Sequence, residues 1–100
     1  MYQNHVLELD VRRHRVRVRG QEIRLSATEF RLLEALVLNA GLVMSIDHLS
    51  DLIWGDKGAS SETVRVFIGR LRRKLGEGSW LLIETVPGFG YRFMPGRGSE

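Results

Sequence analysis

The sequence predicts an α+β fold: an N-terminal antiparallel sheet, then three helices, then a C-terminal β-hairpin. Three observations carry that expectation. Alternating residues and turn signals run from Val6 to Leu25, three segments with helical periodicity and identifiable ends follow, and Pro87-Gly88-Phe89-Gly90 joins two strand-like runs. Strands, two short helices, a longer basic helix and a hairpin, in that order, make a winged helix-turn-helix.

Each element has its own warrant. Val6–Val11, Arg15–Arg19 and Gln21–Leu25 read as strands, with Gly20 the clearest break. In Arg15-Val16-Arg17-Val18-Arg19 the period is two, which turns the valines to a core and the arginines to water. Such an arginine face can meet a phosphate backbone, or it can stay solvated and keep an edge strand from pairing with a neighbour. Ser26-Ala27-Thr28-Glu29 has the S-x-x-E form of a capping box, and Phe30, Leu33, Leu36 and Val37 follow at helical spacing. They predict a helix from about Ala27 to Asn39, ended by Gly41. A second helix runs from Ile46 to Ile53, with Ser45 as N-cap, Leu49, Leu52 and Ile53 as its apolar face and Gly55 as its stop. Asp56–Ser61 is a polar loop without a core residue. The third helix starts near Ser61 and runs to Leu75, where Gly76 caps it. The closing strands are about Trp80–Val86 and Tyr91–Met94. Residues 95–100 read as a loose tail, and no repeat or linker divides the chain, so 1–100 is expected to form one domain with its core between about 6 and 94.

Composition narrows the function classes. A chain of 100 residues, 43% hydrophobic and 27% charged, suits one soluble domain. No apolar run approaches the ~20 residues of a membrane helix, and Met1–Asp10 lacks the form of a secretion signal, so a cytoplasmic protein is expected. There is no cysteine, and His5, His14 and His48 lack metal-ligand spacing, so neither metal nor cofactor is expected. Gly88 and Gly90 have no following Gly-Lys-Ser/Thr, which a phosphate-cradling loop needs. Carboxylates such as Glu29 and Glu34 fall at cap or surface helix positions rather than as an acid–base pair, so no enzyme is expected.

Charge points to a partner. Thirteen of the fifteen basic residues are arginine, the net charge is +3 and the pI is near 10. Between Glu62 and Leu75, five cations face one anion, which leaves +4 in the third helix and −1 in everything else. On a helical wheel Val64, Phe67, Ile68, Leu71 and Leu75 share a core arc of about 100°. Thr63, Val66, Arg70, Arg73 and Lys74 gather opposite, with Arg65 and Arg72 on the flank. Arginines neutralise phosphates or pair with guanine, while Thr63 and Val66 are small enough to meet a base edge or a thymine methyl. Cations that merely relieve a helix dipole account for Arg72, Arg73 and Lys74, but not for Arg65 or for the segregation of charge. Double-stranded DNA is therefore the expected partner.

Four blocks of this sequence, in order, resemble the OmpR/PhoB winged-helix family of bacterial response regulators: Leu25-Ser26-Ala27-Thr28-Glu29-Phe30-Arg31-Leu32-Leu33; Ile53-Trp54-Gly55; Thr63 through Leu75; and Thr85-Val86-Pro87-Gly88-Phe89-Gly90-Tyr91-Arg92-Phe93. The resemblance covers about Val6 to Phe93. It implies a DNA-binding output domain of a two-component phosphorelay regulator, a four-stranded opening sheet, the third helix in the major groove and the hairpin along the minor groove. Carried over position by position, Thr63, Val66, Phe67 and Arg70 would face bases or the adjacent sugar-phosphate, and Arg72 would reach a phosphate. Trp54, Thr85 and Tyr91 match positions that contact the backbone, and Arg65 and Arg73 complete the expected DNA-binding set. The resemblance further implies promoter DNA with direct repeats, dimers on that DNA, RNA polymerase contact through the 56–61 loop, and a receiver domain in a longer parent protein. Pro87 stands where better-known relatives carry a minor-groove arginine, Gly69 where a basic residue is frequent, and Glu62 opens the basic helix with an anion. The 56–61 loop is slightly short. The alternative is a protein-interaction or RNA-binding module that reuses the same basic fold. Duplex DNA outcompeting single-stranded RNA would separate the two.

Overall fold

The computed structural model describes residues 7–76 and 82–94, together with the backbone of residues 2–3. Strands β1 (Tyr2–Gln3), β2 (Leu7–Asp10), β3 (Arg15–Val18) and β4 (Gln21–Ile23) form an antiparallel sheet in sequence order. Helices α1 (Ala27–Leu38), α2 (Ile46–Trp54) and α3 (Ser61–Leu75) follow, with the short strand β5 (Val43–Ser45) between the first two. Strands β6 (Ile83–Val86) and β7 (Gly90–Phe93) close the chain as a hairpin, and β5 joins β7 to make a three-stranded sheet ordered β5-β7-β6. This is the winged helix-turn-helix that the order of elements predicts.

The predicted alternation is realised in the first sheet. Leu7 pairs with Val18 and Leu9 with Val16, and Leu7, Leu9 and Val16 are buried while Arg15 and Arg17 are exposed. Across the outer face Arg17 sits opposite Glu8 and Glu22. The strand that periodicity left undefined is β1, which pairs Tyr2 with Leu9 and Gln3 with Glu8.

The helix ends follow the expected chemistry at α1's start but not at its finish. The Ser26 hydroxyl accepts the Glu29 amide at 3.1 Å, and Glu29 accepts the Ser26 amide at 2.8 Å, closing the capping box. At the other end the helix stops at Leu38, where the Asn39 side-chain amide donates to the Ala35 carbonyl at 2.7 Å. Gly41 is not the cap. It lies in the next turn at φ 85°, and its amide donates to the Phe93 carbonyl at 2.8 Å, tying the turn to the hairpin. Ser45 caps α2 as expected, accepting the His48 amide at 3.0 Å.

Other boundaries moved. The loop after α2 opens with a 3₁₀ turn over Gly55–Lys57. Leu52, expected on α2's buried face, is 45% exposed, because Leu49 and Ile53 already fill that face. The last strand begins and ends one residue earlier than predicted, since Gly90 is already paired with both β5 and β6. Trp80 and the tail 95–100 lie outside the described residues. One core joins Leu7, Leu9 and Val16 of the sheet to Phe30, Leu33 and Leu36 of α1, Leu49 of α2, Ile68 and Leu71 of α3, and Phe93 of the hairpin. Among the described residues no helix is long and apolar enough to cross a membrane, and no group of three or more histidines and carboxylates could hold a metal ion.

Candidate nucleic-acid interface

The turn before α3 is fastened from both sides. Ser50, buried on α2, accepts the Ala59 amide at 2.7 Å and donates to the Ala59 carbonyl at 3.3 Å. Ser60 then caps α3 by accepting the Thr63 amide at 3.1 Å, and the Ser60 and Thr63 hydroxyls bond at 3.0 Å. These bonds fix the start of α3 against α2, as a helix-turn-helix requires. Val64, Ile68, Leu71 and Leu75 are all buried on the inner face, as their spacing predicts.

The outer face carries the polar chemistry. Arg65, Arg70 and Arg73 are exposed, Thr63 is half-buried, and Val66 is 42% exposed between them. Phe67, placed by spacing on the core arc, is only half-buried and forms the edge of that face. Its ring meets Trp54 edge-on, with centroids 5.4 Å apart and an interplanar angle of 68°. The Arg70 guanidinium lies 5.1 Å from the Phe67 centroid on a cation–π contact. Trp54, Phe67 and Arg70 therefore form one continuous edge from α2 to α3, which restrains a long side chain before any ligand arrives.

The remaining expected residues, Arg72, Thr85 and Tyr91, meet one another. Arg72 Nη2 donates to the Ile83 carbonyl at 2.5 Å and to Thr85 Oγ1 at 2.9 Å. Its guanidinium also lies 5.6 Å from the centre of the Tyr91 ring, and Tyr91 is only 6% exposed. Burial lowers the Arg72 pKa, with Tyr91 acting in the opposite sense, and an arginine remains charged at neutral pH. Sequence reasoning places Arg72 at a phosphate; the structure turns it toward the hairpin.

Lys74 also leaves the face on which the wheel put it. Its ammonium bonds Glu29 Oε1 at 2.6 Å, joining the end of α3 to the start of α1, and the two side chains are 43% and 3% exposed. Burial by itself raises the Glu29 pKa, but bonds from Lys74 and from the Ser26 amide and hydroxyl outweigh it, so the carboxyl titrates below its ordinary value of 4.5. A depressed folded pKa contributes stability that is present above the unfolded value and lost as pH falls through the folded one. Denaturant midpoints should accordingly fall as pH drops from about 4.5, and in a Glu29→Gln variant that acid-side loss should shrink.

Sequence reasoning missed the Ser50 staple, the Glu29–Lys74 pair and the Arg72 contacts. A serine among apolar neighbours on an amphipathic helix was the available signal for the first.

Comparison with known proteins agrees with this architecture. A family model described as the C-terminal part of transcriptional regulatory proteins matches residues 20–93. The phosphate regulon transcriptional regulatory protein PhoB of Rhizobium meliloti is 46% identical over 87 residues, covering 85% of this chain and 38% of that protein. The transcriptional regulatory protein PrrA of Mycobacterium tuberculosis is 42% identical over 87 residues, covering 85% and 37%. The chain thus spans less than two fifths of the length of these relatives. Among solved structures, the Klebsiella pneumoniae RstA DNA-binding domain in complex with the RstA box has a TM-score of 0.83 at 31% identity, covering 94% of this chain and 96% of that one. The Thermotoga maritima response regulator DrrB, an OmpR/PhoB homologue, has a TM-score of 0.85 at 30% identity, covering 93% and 43%. Sequence, hydrogen-bonded frame and comparison converge, and the chain belongs to the OmpR/PhoB-type family of transcriptional regulatory protein C-terminal domains.

Proposed function

We propose that this domain binds double-stranded DNA sequence-specifically, with α3 in the major groove and the β6–β7 hairpin at the minor groove, as the output part of a two-component response regulator. The observation that carries the reading is the outer face of α3, where Arg65, Arg70 and Arg73 surround an exposed Val66 while the opposite face is core. A basic helix with small side chains among its cations suits a groove lined by phosphates and base edges. Relatives support the reading, since the RstA domain is bound to its box and the AdeR DNA-binding domain to an intercistronic region.

Roles follow from placement. Arg70, restrained on Phe67, suits a guanine edge. Val66 and Thr63 suit a thymine methyl or base edge, Arg65 and Arg73 suit phosphates, and Trp54 offers its indole N–H to the backbone. The parent regulator would act in the cytoplasm, at the nucleoid, and carry a receiver domain. Its copies would bind direct repeats, with the 56–61 loop available to RNA polymerase. The domain itself is read as non-catalytic: its buried carboxylate, Glu29, is committed to Lys74 and Ser26.

Arg70→Ala is expected to weaken binding to the preferred duplex by about 1–3 kcal/mol and relax one or two base preferences. Arg73→Ala should weaken all duplexes alike and reduce the log-log salt slope by about one unit. Fluorescence anisotropy on preferred and scrambled duplexes reads both effects. Full affinity in both variants at moderate salt would remove α3 as the reading element, and single-stranded RNA displacing duplex DNA would favour the RNA-binding alternative.

A further inference from the structure

We infer that Arg72 is a positioning residue that sets the wing against the recognition helix, rather than a cation that neutralises a phosphate; this rests on the DNA-binding reading above. The guanidinium adds polar bonds between two elements that also share the hydrophobic core. From α3 it donates to a backbone carbonyl and a side-chain hydroxyl of β6, at Ile83 and Thr85, while lying over the ring of Tyr91 on β7.

Each partner makes the contact hard to release. The Ile83 carbonyl belongs to a residue that is completely buried, and Tyr91 is nearly so, which places both inside the fold rather than on a mobile rim. A charge-assisted bond to a shielded carbonyl is among the stronger single bonds a protein makes, and abandoning it would leave a buried acceptor unpaired. Arg70 and Arg73, on the same helix, point to solvent and have no such commitment to the hairpin.

The consequence concerns register. The distance and angle between what α3 touches and what the hairpin touches decide which base pairs are read together. With Arg72 holding Ile83 and Thr85, the hairpin is presented at one fixed offset from α3. Remove the clamp and the helix keeps its own base preferences, while those beneath the hairpin blur.

The test uses Arg72→Met, which keeps an unbranched stem without the donors, and Thr85→Val, nearly isosteric at an exposed strand position. Circular dichroism first establishes that both variants fold, and Thr85→Val carries the test alone if Arg72→Met does not. The expected result has four parts: each variant loses about tenfold in affinity for the selected duplex, a loss of roughly 1.4 kcal/mol; the double variant loses no more than the worse single one; the salt slope is unchanged; and re-selection from random duplexes retains base preferences under α3 but loses those under the hairpin. A salt slope smaller by about one unit in Arg72→Met, with uniform weakening on every sequence and additive losses, would overturn the assignment and return Arg72 to the phosphates. Failure of the wild-type domain to bind any duplex is a different outcome, which removes the DNA reading itself and the register role with it.

Discussion

Replacing Gly90 with alanine is expected to destabilise the domain by at least about 3 kcal/mol. A Cβ at that position would stand 2.0 Å from the Met44 carbonyl oxygen and 2.9 Å from both the Met44 carbonyl carbon and the Ser45 Cα. All three are backbone atoms of β5, so no side-chain rotation relieves the clash. The only escape is to part β5 from β7, which breaks the pairing of Val43 with Arg92 and Met44 with Tyr91. Tyr91 and Phe93 are core residues of the same strand, so the damage reaches the interior. Gly88, two residues away at φ 81° with open space around it, provides the control. Alanine there meets only the backbone preference, worth about 1 kcal/mol. Urea unfolding of the two variants should separate them clearly; equal midpoints would mean that β7 does not approach β5 as closely as described.

Glu29→Ala is expected to cost about 3 kcal/mol, for reasons that accumulate at one buried carboxylate. The Ser26 amide loses its capping partner, Lys74 loses its counter-charge, and the side-chain volume is vacated. Half-exposure of Lys74 weakens the purely ionic part, because water screens the ammonium. Glu29→Gln should therefore recover much of the loss by keeping the shape and an acceptor for Ser26. Because the pair ties the end of α3 to the start of α1, hydrogen exchange in the last turn of α3 should rise in Glu29→Ala more than in the middle of that helix. A variant with wild-type urea midpoint would contradict the role given to this pair.

Which features the sequence disclosed follows from how far each interaction reaches along the chain. The α1 start was legible because a capping box is closed within four residues, and the inner faces of α1 and α3 because burial repeats with the helical period. By contrast, β1 and β5, at two and three residues, are too short to show alternation, and tertiary pairing alone makes them strands. Leu52 was misplaced because a hydrophobic residue beside a filled face can remain outside it.

The candidate site divides along the same line. Charge and wheel position place Thr63, Val66, Arg70 and Arg73 on one outer face with Arg65 on its flank. The wheel sets Phe67 in the core, and only the structure brings it to the edge of that face beside Trp54. The wheel gives the direction of a Cβ, however, and long side chains can leave that direction. Arg72 reaches residues 11 and 13 positions away, and Lys74 one 45 positions away. Nothing local in the sequence marks those partners, so the turn of Arg72 toward the hairpin and of Lys74 toward Glu29 is not legible on the wheel.

Whether the outer face of α3 reads duplex DNA is decided by selecting bound sequences from a random duplex pool at near-physiological salt. A short enriched motif is expected, with a log-log salt slope of a few units that matches a few exposed arginines rather than all five cations of the helix. A pool that emerges unenriched, with the domain binding no duplex even at low salt, would contradict that reading.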